Sequence, residues 1–165
     1  MRLHYLWLVL LVGVCILFGC NDNSDDSNSE SIPVTQVTFI QRVMSGPDIY
    51  TTVTITPNSI EYVRTESGNI TRQWSKQIEV SDFNSIQKII NDYNIFQSDN
   101  ITLDTIATPD IIAECIGVGD TTITINRIDN SSHTFDISGV VYPEYWPEGV
   151  RALVELKGEL VAKYQ

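Results

Sequence analysis

From Val34 to the C-terminus the apolar side chains come in short alternating runs, and only twice does their spacing widen to every third or fourth residue. A chain patterned this way builds a sheet with one buried face and covers that face with two amphipathic helices. Val34 to Met44 is rich in β-branched residues, Ser45-Gly46-Pro47-Asp48 turns, and Ile49 to Thr56 sets Val53 and Ile55 on one face. Pro57-Asn58 makes the next turn. Ser59 to Thr65 and Ile70 to Val80 read as strands around Glu66-Ser67-Gly68-Asn69, with Ile70, Trp74, Ile78 and Val80 inward by alternation. Ser81 is the expected cap of a helix carrying Phe83, Ile86, Ile89, Ile90 and Tyr93. A polar loop from Gln97 to Asp110 precedes a strand at Ile111 to Ile116. Thr121 to Ile128 and His133 to Val140 form a hairpin around Asp129-Asn130-Ser131-Ser132. Pro147 opens a terminal helix with Val150, Leu153, Val154, Leu160, Val161 and Tyr164 in its stripe. The expectation is one α+β domain over residues 34–165, with an antiparallel sheet of about six to seven strands and two helices packed on it.

The N-terminus is of another kind. Met1-Arg2-Leu3-His4 leads into an apolar run from Tyr5 to Phe18, which ends at Gly19-Cys20 and is followed by Asn21-Asp22-Asn23-Ser24-Asp25-Asp26. A charged start with a short apolar run, below the roughly 20 residues of a spanning helix, is the pattern of a secretory signal. Leu17-Phe18-Gly19-Cys20 resembles the lipobox of bacterial and some archaeal lipoproteins. The resemblance implies Leu17 as the aliphatic position, cleavage between Gly19 and Cys20, and Cys20 as the lipidated thiol. Residues 1–19 are then a signal peptide, and the mature protein is held by Cys20 on the outer side of a prokaryotic cell membrane. Each buried methylene contributes about 0.8 kcal/mol, so the two or three acyl chains typical of such proteins hold almost permanently.

Residues 20–33 complete the address as a lipidated cysteine plus tether. Asn21 to Ser31 contains only Asn, Asp, Ser and Glu, has nothing to bury, and is expected to be disordered with a reach of about 20 Å. Its acidic start also resembles the surface-export signals of some Bacteroidota lipoproteins. With Cys15 lost in the signal and Cys20 acylated, Cys115 has no intramolecular disulfide partner. It alternates with Ile111 and Ala113 and is expected in the core as a small hydrophobe.

Charge narrows the partners. The whole chain holds 21 Asp and Glu against 10 Lys and Arg, a formal net charge of −11. Nucleic-acid affinity depends on clustered basic residues that displace counterions, so no nucleic acid is expected. His133, between Asp129 and Asp136, is the sole histidine after Cys20, but no nucleophile elbow accompanies it. No metal site is expected, because His133 and Cys115 have no paired ligand spacing and the acidic stretches lack the glycine-centred calcium loop. Gly117-Val118-Gly119 precedes a strand rather than a helix and reads as a turn, so no cofactor is expected. Tyr142, Tyr145 and Trp146, stiffened by Pro143 and Pro147, form a candidate binding patch of hot-spot residue types. The other reading of that patch has Tyr145 stapled onto Val150 and Trp146 capping the core. Asn69-Ile70-Thr71, Asn100-Ile101-Thr102 and Asn130-Ser131-Ser132 match the N-glycosylation pattern.

The order of elements over residues 34–164, with Phe96 after the first helix and Pro147-Glu148-Gly149-Val150 opening the last, resembles small exported domains of unknown function and emfourin-type inhibitors of metalloproteases. The expected function is an exported, lipid-anchored, non-catalytic binding module with a protein partner. The resemblance implies the alternative of a cell-surface protein inhibitor of a protease.

Overall fold

The computed structural model describes residues 32–43, 48–102, 119–138, 144 and 146–165, within a compact unit spanning Ile32–Gln165. The expectations for Gly19, Cys20, the tether, the strand at 111–116, Cys115, Tyr142 and Tyr145 lie outside the described residues. The elements are β1 (Val34–Val43), β2 (Ile49–Ile55), β3 (Ser59–Glu66), β4 (Asn69–Gln77), α1 (Val80–Asp92), a 3₁₀ turn (Ile95–Gln97), β5 (Ile101–Thr102), β6 (Thr121–Arg127), β7 (Ser132–Ser138) and α2 (Glu148–Tyr164). The strands form one seven-stranded sheet in the order β4-β3-β2-β1-β6-β7-β5. Every pair is antiparallel except β5 with β7. The architecture is therefore α+β, with strands, helix, strands and helix in the anticipated order.

Alternation delivers one buried face. Val37, Phe39, Val53, Ile55, Ile60, Ile123, Ile125, Phe135 and Ile137 all point to the helices and are buried. In β1 the register shifts between Val34 and Gln36, and this bulge returns Val34 to the core face beside Val37. The helices lie antiparallel on that face and contribute Phe83, Ile86 and Ile90 from α1, and Val150, Leu153 and Leu160 from α2. At one end of the pair, the Tyr93 hydroxyl donates to Glu148 at 3.2 Å. At the other, the Tyr164 hydroxyl donates to Asp82 at 2.5 Å, and Lys163 reaches the same carboxylate at 3.0 Å. Tyr164, then Lys163, hold the Asp82 carboxyl below the usual carboxylate range, and Asp82 in turn raises Lys163.

Four sequence expectations need correction. Ile70 is 60% exposed rather than inward. The pairing runs Glu66↔Asn69 and Thr65↔Ile70, but then Arg64↔Arg72, so Thr71 is an extra residue in β4. One inserted residue sends Ile70 to the opposite face from Trp74. Val80 is not a strand residue but the first of α1, 64% exposed, and Glu79 takes the N-cap position with no side-chain cap bond. Ser81 lies inside the helix, its hydroxyl directed to Glu79. Pro147 sits at the N-cap of α2 rather than at its first helical position, as Glu148 begins the helix.

Two of the hairpin turns show their local chemistry in the backbone angles. Ser67 and Gly68 have φ of 49° and 81°, the left-handed pair that a two-residue type I′ hairpin requires. Asn130 takes φ 64° in the β6–β7 turn, where the Asp129 carboxylate accepts from the Ser131 amide at 2.9 Å. No helix among the described residues is long and apolar enough to cross a membrane.

Candidate recognition surface

The bulge at Thr71 has a larger effect than exposing Ile70. By register it sets Trp74 opposite Tyr62 and Arg72 opposite Arg64 on the helix-side face of the β3–β4 hairpin. The Tyr62 and Trp74 rings stack with centroids 5.4 Å apart and planes 1° from parallel. They pack partly against the core, and the Trp74 indole Nε1 is buried without an acceptor among the described residues. Arg72 lies 5.9 Å from the Tyr62 ring centroid. Its terminal nitrogens donate to the Gln165 side-chain oxygen in the amide orientation that satisfies both groups. The exposed Arg64 guanidinium has no hydrogen-bond or ion-pair partner among the described residues, and Lys76 follows Trp74 on the same face. Like charges directly opposite on a sheet oppose pairing by a few tenths to about 1 kcal/mol. Two facing arginines beside a stacked aromatic pair thus concentrate recognition residues where stability gains nothing from the charges.

The other face of the sheet is hydroxyl-rich, with charges only at Arg42, Glu61 and Asp136 among its paired residues. Thr54, Thr38, Thr124 and Thr134 are register partners across β2, β1, β6 and β7. Thr124 and Thr134 share a hydrogen bond of 3.0 Å, Gln36 donates to Thr38 at 3.0 Å, and the Thr122 hydroxyl donates to Asp136 at 2.6 Å. The two hydroxyl bonds at Thr122 and Thr124 tie β6 to β7, while the Gln36–Thr38 bond runs along β1.

His133 is taken apart from its two acids. Asp136 lies three positions further along β7, an odd offset, so strand alternation puts the two on opposite faces. Its ring packs between Phe96 and Phe135, with centroids 5.5 and 5.6 Å away. Nε2 lies 2.7 Å from the Ser98 carbonyl and, because a carbonyl only accepts, must carry the proton. The Arg127 guanidinium lies over the Phe96 ring, 3.5 Å from its centroid. Asp129 is occupied by its own turn and Asp136 by Thr122, with the Asp136 amide donating to Asn100 at 2.9 Å. His133 is a packed strand residue that anchors the Ile95–Gln97 turn.

Of the proposed aromatic patch, Trp146 is described. It is half-buried, packs against the core, and has its indole Nε1 buried with no acceptor among the described residues. That is the capping role. Of the glycosylation pattern, Asn69 opens β4 directly after the Ser67-Gly68 turn and Asn130 sits in the β6–β7 turn, while the Asn100 side-chain oxygen accepts from the Asp136 amide. Gly119 packs so closely on the Arg42 carbonyl that a Cβ would overlap it.

No family model matches the chain, and no curated protein is significantly similar to it. The geometry alone ranks the surfaces, and β3–β4 stands first. It gathers Arg64, Arg72, Lys76, Tyr62 and Trp74 in a chain of net charge −11.

Lys157 is a different case. It lies in the inward stripe of α2, half-buried, its ammonium 5.8 Å from the Phe39 ring centroid. No carboxylate or carbonyl receives it among the described residues, and desolvation lowers its pKa below the ordinary lysine value. A folded pKa below the unfolded one means that the native state sheds its proton first, so stability rises as pH climbs between the two values. At neutral pH the charge is a cost. Lys157→Met is expected to raise unfolding free energy by about 0.5–2 kcal/mol at pH 7. The advantage should shrink above about pH 10, where the unfolded lysine is also neutral. Urea unfolding of both proteins across that range checks the sign.

Proposed function

We propose that the chain is an exported protein, lipid-anchored through Cys20 to the outer side of a prokaryotic cell membrane, whose folded part is a non-catalytic binding module for a protein partner. The anchoring part rests on Leu17-Phe18-Gly19-Cys20 at the end of a short apolar run and on the solvated residues that follow. The binding part rests on one observation, the exposed cationic and aromatic surface of β3–β4. His133, Asp129 and Asp136 have packing, turn-making and strand-linking roles, so the polar residues that first suggested chemistry are accounted for structurally.

Metabolic labelling with an alkynyl fatty acid tests the anchor. The full chain is expected to take up label and Cys20→Ala to lose it entirely, with the precursor accumulating. Equal labelling of the variant removes the anchoring reading. For the binding module, a photo-crosslinking residue at Gln165, exposed and beside Arg72, should trap a defined envelope or secreted protein in cells. Arg64→Glu with Arg72→Glu should abolish the adduct while leaving the melting temperature within a few degrees. A trapped protease would favour the inhibitor reading; an adduct that is indifferent to both charges would remove the β3–β4 surface from the account.

A further inference from the structure

Strand β4 is the long free edge of the sheet. It pairs only with β3 among the described residues, while the opposite edge, β5, is Ile101 and Thr102 alone. Along β4 every residue is exposed except the half-buried Trp74. An edge strand carries a row of N–H and C=O groups directed away from its partner, which is a template for another strand. After the bulge at Thr71, Arg72–Gln77 runs in regular register with β3. One face of that stretch reads Arg72, Trp74, Lys76 and the other Gln73, Ser75, Gln77. The edge therefore carries two cations, one aromatic and no acid, in a chain with a net charge of −11.

That charge pattern selects the occupant. A second copy pairing antiparallel about Trp74 would set Arg72 against Lys76, and like charges directly opposite oppose pairing. An extended acidic segment meets the opposite condition. We propose that Arg72–Gln77 of β4 accepts an acidic peptide by strand addition, with acidic residues beside Arg72 and Lys76 and an apolar residue beside Trp74. Main-chain hydrogen bonds supply the ladder, and the alternate side chains supply selectivity for an acidic-x-apolar-x-acidic pattern. Arg64, across from Arg72, has no partner among the described residues and is placed to share the first acidic group. The inference rests on the binding-module reading and gives it a class of partner.

The test uses the full chain in mild detergent and the blocked, fluorescently labelled peptide Thr-Glu-Thr-Val-Thr-Glu-Thr. Anisotropy is expected to report saturable binding that weakens steeply with salt. Arg72→Glu with Lys76→Glu should weaken it about tenfold or more, with an unchanged thermal melt confirming the fold. Replacing both Glu of the peptide by Lys should do the same to the unaltered protein. Strand addition makes a further demand that charge attraction does not. N-methylation at alternate peptide nitrogens on the ladder side should weaken binding by a similar factor, and unmodified peptide should slow amide exchange of β4. Binding that survives N-methylation, or that is indifferent to the two charge reversals, overturns the proposal. Absence of peptide binding, alongside a charge-dependent adduct at Gln165 in cells, overturns strand addition and leaves the binding module standing. Absence of both overturns the two together.

Discussion

Phe39→Ala is expected to lower the unfolding free energy by about 3–5 kcal/mol, among the largest losses from any single side chain in the sheet. Phe39 is 1% exposed and lies on β1, between Val53 of β2 and Ile123 of β6 by register. Its neighbours belong to strands held by their own ladders, so they cannot move into the vacated volume without breaking pairing, and most of the cavity persists. The truncation also removes the ring beneath Lys157, leaving that ammonium over a void. Urea unfolding should show an earlier midpoint with an unchanged slope. A loss below about 1 kcal/mol would mean that the site collapses, contrary to the rigidity argued for it.

Gly149→Ala should cost about 1–3 kcal/mol although alanine is the better helix former by about 1 kcal/mol. Gly149 lies in the first turn of α2, and a Cβ there would meet the Cβ of Tyr93 and come within 2.5 Å of its Cγ. These are atoms near the root of the side chain, so a rotamer change does not clear them; the end of α1 would have to withdraw from α2. The Tyr93–Glu148 hydrogen bond should weaken with it. Gly158, whose Cβ would meet nothing, is the control: Gly158→Ala should stabilise, because propensity then acts alone. If both substitutions stabilise, the helices do not approach as closely as described.

Much of this fold is written in alternation and turn chemistry. Val53 and Ile55 fall on the face assigned to them, Phe83, Ile86 and Ile90 follow helical spacing into the core, and Ser67-Gly68 fixes the β3–β4 turn. Counting back from that turn, however, sets Arg64 opposite Thr71 and leaves Trp74 on the face of Ile70. One extra residue at Thr71 reverses both assignments, and neither a glycine nor a proline marks it. The Arg64, Arg72 and Trp74 arrangement was illegible for the same reason that Ile70 was misplaced. The separation of His133 from Asp136 was legible, since an odd spacing within a strand puts two side chains on opposite faces. The helix start was lost because exposed Val80 continues the strand's apolar rhythm by chance, while the turn that ends β4 depends on the Ile78 amide reaching the Asn58 carbonyl, a contact between distant residues.

The place of β1 governs the order in which the domain can assemble. The first strand of the domain lies in the middle of the sheet, with β2 on one side and β6 on the other. The β1–β4 meander closes through short turns, so it can form early, but it leaves one long side of β1 unpaired until β6, far along the chain, arrives. During that interval an open ladder flanked by Val37 and Phe39 is available to any passing strand. The slow event in maturation is then the arrival of the β6–β7 hairpin and α2. Premature release of a shortened chain, ending before Thr121, should yield aggregates rather than a smaller stable protein, and holdase chaperones would find their target along that side of β1.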